Sequence, residues 1–225
     1  MFEKSLQGPE IQFICEVKKA SPSKGLIDPV FPYVDIARDY ERAGAAAISV
    51  LTETDYFLGK DEYLEEIHQS VGLPLLRKDF TIDPYQIYQA KVLGASGVLL
   101  ICSILDDKKL AAYIKVCDSL GLSALVEAHN AGEVKRAEKA GARIIGVNNR
   151  NLKDFTVDIH NSLNLRKLIS QDILFVAESG INSPEDIEAL RTGGVNGVLI
   201  GETLMRAPDK KAMLAYLRGD RNDTN

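Results

Sequence analysis

The feature that most constrains this chain is a train of eight short apolar runs spread along its whole length. They are IQFICEV (11–17), AAISVL (46–51), LPLLR (73–77), GVLLI (97–101), LSALV (122–126), RIIGV (143–147), ILFVA (173–177) and NGVLI (196–200). Each is too short for a helix and rich in β-branched or aliphatic residues, the signature of a strand buried on both faces. Stretches of helical periodicity lie between them, among them PYVDIARDYERAG, PYQIYQAKVLG, DKKLAAYIKVCDSLG, AGEVKRAEKAG and SPEDIEALRTGG. Several end in glycine, the residue that caps a helix in the left-handed conformation. Such alternation folds as an open doubly wound sheet or as a closed barrel. An open sheet exposes edge strands, which tend to be short or polar, and all eight runs read as interior. No GxGxxG follows the first run to suggest a dinucleotide fold. The pattern therefore predicts a (β/α)8 TIM barrel. Residues 1–225 form a single barrel domain in this reading, with a frayed polar tail at 219–225. The length suits it, since such barrels take about 250 residues.

Composition narrows the class. Hydrophobic residues make up 45% and charged residues 26%, enough for a core and too little bias for disorder. No apolar run approaches the roughly 20 residues of a membrane span. The start, MFEKSLQGPEIQF, lacks the basic-then-apolar pattern of a signal peptide, so a cytoplasmic protein is expected. A net charge of -5 gives no basic footprint for nucleic acid. Cys15, Cys102 and Cys117 read as reduced core thiols. His68, His129 and His160 share no metal-ligand spacing, and no metal site is expected.

In such barrels the chemistry sits at the C-terminal ends of the strands. After the first run come Glu16, Val17 and Lys18, and the period of two puts Glu16 and Lys18 on one face. The later runs deliver Glu53, Lys78, Glu127, Asn148 and Glu178 at the same level. Charged groups converging on one mouth are costly to desolvate unless paired or used, which marks them as candidate catalytic residues. Loops after strands seven and eight often bind phosphate, and here they hold Ser179-Gly180 and Gly201-Glu202. A packing or hydrogen-bonding role suits His129. Ser21 and Ser23 have no histidine base at an evident spacing, so a Ser-His-Asp triad is not supported. Tyr85 and Tyr88 fit a helix face packing on the sheet.

These strand-end strings resemble those of the indole-3-glycerol phosphate synthase family. ICEVKKASPSKG is similar to the family's first-strand motif, glutamate-x-lysine followed by a Ser-Pro-Ser loop. ISVLTETDYFLG, LPLLRKDFTIDPYQI, LVEAHN, IGVNNRNL, VAESGI and IGETLM resemble its later motifs in the same order, from about residue 2 to 217. The family commonly carries an N-terminal extension, and ten residues precede the first run here, so a shortened extension and a more open mouth are expected. The resemblance implies that 1-(2-carboxyphenylamino)-1-deoxyribulose 5-phosphate closes to indole-3-glycerol phosphate, losing CO2 and water, in tryptophan biosynthesis. No cofactor is implied, because decarboxylation restores aromaticity. It gives Lys78 and Lys18 the acid roles, Glu127 a base or electrostatic role, and Glu16 and Glu53 the task of orienting the lysine amines. Asn148 and Glu178 would bond the substrate's hydroxyls or developing charge, and Arg150 the anthranilate carboxylate. Ser21, Ser179, Gly180, Gly201 and the backbone of Glu202 would line the phosphate site. A phosphorylated small molecule is the expected partner, with no nucleic acid and no membrane. Other tryptophan-pathway enzymes are a further partner class.

Other readings of the same fold stay open at this stage. A Schiff-base aldolase needs a lysine of lowered pKa, which the acidic neighbours oppose. A phosphosugar isomerase favours a carboxylate or thiol pair over two lysines. A non-catalytic phosphometabolite-binding protein is a third.

Overall fold

The computed structural model describes residues 2–151 and 155–220. Eight parallel strands close into a barrel: β1 (Gln12–Val17), β4 (Ala47–Leu51), β5 (Leu75–Lys78), β6 (Gly97–Ile101), β7 (Ser123–Ala128), β8 (Ile144–Asn148), β9 (Leu174–Glu178) and β10 (Gly197–Ile200). The ring is sealed where β1 pairs with β4 on one side and β10 on the other. The short β2 (Ala20–Ser21) and β3 (Gly25–Leu26) form an antiparallel hairpin within the loop that follows β1. The helices are α1 (Phe2–Ser5), α2 (Tyr33–Arg42), α3 (Asp61–His68), α4 (Pro84–Val92), α5 (Asp107–Ser119), α6 (Ala131–Ala140), α7 (His160–Arg166), α8 (Pro184–Thr192), α9 (Glu202–Arg206) and α10 (Lys210–Arg218).

The eight expected strands stand within two residues of their apolar runs. β5 starts later than its run because Pro74 has no N–H to donate, although its carbonyl accepts from Ile48 N. Strand alternation divides the core in two. Ile14, Leu76, Leu99, Ile101, Leu125, Ile144, Val176 and Leu199 fill the barrel, while Phe13, Cys15, Val50, Val126, Phe175 and their neighbours pack under the helices. Helix starts follow from sequence. Asp83 and Ser183 each close a capping box, with Gln86 and Asp186, and proline stands at the first helical position after both.

One helix face departs from expectation. Tyr85 and Tyr88 do not pack on the sheet: they are 69% and 50% exposed on the outer face of α4, whose buried face is carried by Ile87 and Ala90. The described lead residues close the end of the barrel opposite the strand C-termini. Phe2 and Leu6 are fully buried inside the ring. Phe2 lies against Gly97 and Leu6 against Gly197, the first residues of β6 and β10. At the chain's other end Gly219 caps α10 in the left-handed conformation, while residues 221–225 of the expected frayed tail lie outside the described residues.

Candidate active site

Every barrel strand points its C-terminal end at one mouth, and a cavity of about 680 Å³ opens there. Glu16, Lys18, Lys78, Asn148 and Glu178 line it, together with Ser21, Arg150, Ser179, Gly180, Gly201 and Glu202. An adjoining, more apolar cavity of about 350 Å³ is lined by Glu53 and Glu127 and shares Leu51, Phe57, Lys78, Asn148 and Phe155 with the first.

The charged floor is built by register. Lys78 ends β5 beside Leu51, Glu127 stands beside Ile101, and Asn148 pairs with Glu178. Glu16, Glu127 and Glu178 are 3%, 4% and 2% exposed. Lys18 Nζ donates to Glu16 Oε1 at 2.7 Å, as the shared strand face requires. Ser49 Oγ donates to the other oxygen, Oε2, at 3.4 Å. Lys78 Nζ lies 3.8 Å from both Glu127 Oε2 and Glu178 Oε2.

Each titration shift has a physical cause. Burial alone would push Glu16 up, but Lys18 and Lys78 outweigh it and hold the carboxyl below its ordinary value. Burial would lower Lys78, yet Glu178, Glu127 and Glu16 together hold the ammonium above its ordinary value. Glu178 goes the other way. Burial drives it up to about 8 against the pull of Lys78, and the charges of Glu127 and Glu16 reinforce the rise. Three buried carboxylates facing two ammonium groups leave one negative charge in excess, and a proton on Glu178 removes it.

Glycines make room for this floor. A methyl on Gly146 would overlap Glu178 Oε1, and one on Gly201 would overlap Glu16 Oε1 and crowd Lys18 Nζ. Gly201, expected only at a phosphate, therefore also clears space for the Glu16–Lys18 pair.

Glu53 does not meet a lysine. Among the described residues its carboxylate forms no lysine ion pair and instead accepts from the backbone N–H groups of Asp55, Tyr56 and Phe57 at 2.8–3.0 Å. It organises the loop that carries Phe57 to the cavity wall. The Glu202 side chain faces cations, Lys24 at 3.5 Å and Arg206 at 3.1 Å. The Arg150 backbone N–H donates to Asn148 Oδ1 at 3.0 Å, and one guanidinium nitrogen donates to Phe155 O at 3.3 Å. Residues 152–154, which include the last residue of the IGVNNRNL string, lie outside the described residues.

Several contributors were invisible in the sequence. Phe57, Phe80, Leu99 and Ile101 line the apolar cavity, but their types read as core. Asn149 is buried. Its amide donates to Ser179 O at 3.1 Å while its oxygen accepts from Ser162 N and Oγ. It thereby braces Ser179, one of the few non-glycine residues at positive φ (68°), next to Gly180 at 80°. His129 lies between two carboxylates: Nε2 is 3.4 Å from Glu127 Oε1 and Nδ1 is 3.2 Å from Glu133 Oε2. Among the described residues no cluster of three or more His, Cys, Asp or Glu is arranged to hold a metal ion, and no helix is long and apolar enough to cross a membrane.

Comparison with known proteins shows the family and the barrel. The family model for indole-3-glycerol phosphate synthase matches residues 2–217. An indole-3-glycerol phosphate synthase of Ruminiclostridium cellulolyticum is 63% identical over 218 residues, spanning 97% of this chain and 84% of that one. One from Lachnoclostridium phytofermentans is 59% identical and covers 96% of this chain and 80% of its own. Solved structures show the shared barrel at low identity. Thiamine phosphate pyrophosphorylase from Pyrococcus furiosus superposes with a TM-score of 0.71 at 18% identity, covering 98% and 97% of the two chains. A mutant tryptophan synthase α-subunit from the same organism gives 0.68 at 12%, covering 92% and 98%.

Proposed function

The chain belongs to the indole-3-glycerol phosphate synthase family, and from that premise we propose how its strand-end residues divide the reaction. The reaction itself closes the ring of 1-(2-carboxyphenylamino)-1-deoxyribulose 5-phosphate, with loss of CO2 and water, to give indole-3-glycerol phosphate for tryptophan biosynthesis. The observation that carries the division of roles is Lys78. It is an ammonium held 3.8 Å from two buried carboxylates where the polar and apolar cavities meet.

Ring closure has the ring carbon bearing the carboxylate attack the substrate ketone, and negative charge builds on the ketone oxygen. An ammonium that is charged and oriented beforehand stabilises or protonates that oxygen. Lys78 and Lys18 carry this role and the second acid role, protonation of the departing hydroxyl. Glu16 keeps Lys18 aimed through the 2.7 Å hydrogen bond. CO2 then leaves with restoration of the aromatic ring. Glu127 is the base or electrostatic partner for the proton released as the indole forms. Glu178, with its proton retained by burial, donates to a substrate oxygen, and Asn148 bonds a neighbouring hydroxyl. Glu53 acts at one remove, by shaping the Phe57 loop.

The two cavities suit the two halves of the substrate. The aromatic ring enters the apolar cavity against Phe57, Phe80, Leu99 and Ile101, with its carboxylate met by the planar fork of Arg150. The phosphate enters beside Ser21, Ser179, Gly180, Gly201 and the backbone of Glu202, where Lys24 and Arg206 add positive charge. A Schiff-base mechanism at Lys78 needs a lowered amine pKa, and its neighbours raise it instead. Residues 1–225 act in this proposal as one catalytic domain. The cytoplasm suits the three free, buried thiols, which burial pushes up to about 12.

The test is the appearance of indole fluorescence with the carboxyphenylamino substrate. Stoichiometric CO2 and indole product are expected, and borohydride should trap no covalent adduct with substrate. A trapped adduct, or a ketose phosphate consumed without indole, would displace this reading.

A further inference from the structure

Among the described residues, two buried side-chain polar atoms lack a hydrogen-bond partner, His129 Nε2 and Glu178 Oε1. A buried polar atom left unpaired is rare and demands an explanation. These two belong to the side chains on either side of the same group, because Glu127 lies against His129 through one oxygen and approaches Lys78, beside Glu178, through the other.

The geometry around His129 is specific. Its backbone N–H donates to Glu133 Oε2 at 2.8 Å, and its ring Nδ1 lies 3.2 Å from that same oxygen. Glu133 is itself immobilised on α6. Its other oxygen accepts from Asn130 Nδ2 at 2.8 Å, and its backbone N–H donates to the Asn130 side chain. Asn161 Nδ2 reaches the His129 carbonyl at 3.4 Å. The ring is thus held on its Nδ1 edge by the helix cap, and Nε2 is left 3.4 Å from Glu127 Oε1 without hydrogen-bond alignment. The Glu127 Oε2 atom lies 3.8 Å from Lys78 Nζ. The helix cap explains why Nδ1 and the backbone face Glu133. It gives no reason to aim Nε2 at a buried carboxylate.

We propose that His129 is a positioning residue for the reaction: with both ring nitrogens protonated between two carboxylates, Nδ1–H donates to Glu133 and Nε2–H engages Glu127 Oε1, which presents Glu127 Oε2 to Lys78 and the substrate. A small rotation of the Glu127 carboxylate turns the 3.4 Å approach into a hydrogen bond. Glu133, His129, Glu127 and Lys78 then form one line from α6 to the mouth. The same arrangement of an orienting group behind a base recurs wherever a catalytic carboxylate or imidazole must keep one geometry. This inference rests on the proposed role of Glu127.

Three variants and one measurement test it. Asparagine places an amide where Nδ1 stands, so His129→Asn retains the Glu133 contact and loses the one to Glu127. Glutamine places its amide at the Nε2 position, so His129→Gln restores a donor to Glu127. We expect His129→Asn to lower kcat roughly tenfold or more with KM within about twofold, and His129→Gln to recover most of the loss. Wild-type kcat in His129→Asn, or glutamine no better than asparagine, overturns the proposal. If His129→Asn does not fold, ring 15N shifts of the unaltered protein decide: a proton on Nε2 supports the bond, and a bare Nε2 at the pH of activity overturns it. Glu127→Gln, run in parallel, separates the two failures. Full turnover in that variant removes Glu127 from the site, and this inference with it. Lost turnover there alongside an unaffected His129→Asn removes His129 alone.

Discussion

Glu178 Oε1 occupies the space that a side-chain methyl on Gly146 would take, so the charged floor of the cavity depends on a glycine in the middle of β8. Gly146 stands beside Glu127 in β7 and Val176 in β9, with its α-carbon facing the barrel interior. Gly146→Ala forces Glu178 to turn away from Lys78 or the strands to part. Overpacking of this kind costs about 1–3 kcal/mol. The expected outcome is a folded protein of lower Tm whose kcat falls more than its KM changes. A variant with normal kcat would show that Glu178 need not hold its place beside Lys78.

The raised pKa of Glu178 has a consequence for stability. In the unfolded chain the group returns to its ordinary value of 4.5, while in the folded protein it titrates at about 8. Between these values the folded state keeps a proton that the unfolded chain has released. Its stabilising contribution is therefore complete below 4.5 and is lost as pH rises through about 8. Glu16, shifted down, and Lys78, shifted up, change their contributions outside this window, at lower and higher pH respectively. Thermal denaturation across the window should show Tm declining with pH in the wild type and a flatter profile in Glu178→Gln. Identical slopes in the two proteins would mean that Glu178 ionises normally.

The barrel was legible because eight apolar runs and their glycine-ended helices repeat one unit, and no open sheet hides every edge. The polar floor was legible for a related reason: period two fixes which strand-end side chains face inward, as Glu16 and Lys18 show at 2.7 Å. What could not be read depends on side-chain reach rather than register. Glu53 stands at a strand end like the others, yet its carboxylate turns back to three loop N–H groups. Phe57, Leu99 and Ile101 wall a cavity with residue types that equally suit a core. Tyr85 and Tyr88 share a helix face, and that face points to solvent because Ile87 and Ala90 already fill the inner one.

Arg150 offers a sharper test than a charge deletion. Among the described residues one of its guanidinium nitrogens donates to Phe155 O at 3.3 Å, and the proposed role gives the planar fork to the anthranilate carboxylate. Arg150→Lys keeps the charge and loses the planar pair of donors, so kcat/KM should fall roughly tenfold or more. Steady-state kinetics check this. A lysine variant equal to wild type would reduce Arg150 to a diffuse positive charge at the rim.

Lys78 and Lys18 face the same cavity, and the two acid roles proposed for them separate by product. CO2 is released once the ring has closed, whereas indole absorbance appears only after water is lost. Lys78→Ala should lower kcat by about 10²–10⁴-fold, the scale of lost acid–base catalysis. A lysine that serves ring closure will, when removed, suppress CO2 and indole together. A lysine that serves dehydration will leave a CO2 burst ahead of slow indole formation. Single-turnover measurement of both products in Lys78→Ala and Lys18→Ala therefore assigns the steps. The barrel should survive in Lys78→Ala, because the side chain ends β5 and fills none of the barrel's apolar layers. Glu178, whose carboxyl Lys78 pulls down, will hold its proton more tightly without it, so the variant's Tm should approach wild type at low pH and fall below it as pH rises. Near wild-type turnover in Lys78→Ala, with both products in step, would remove Lys78 from the mechanism and shift both acid roles to Lys18.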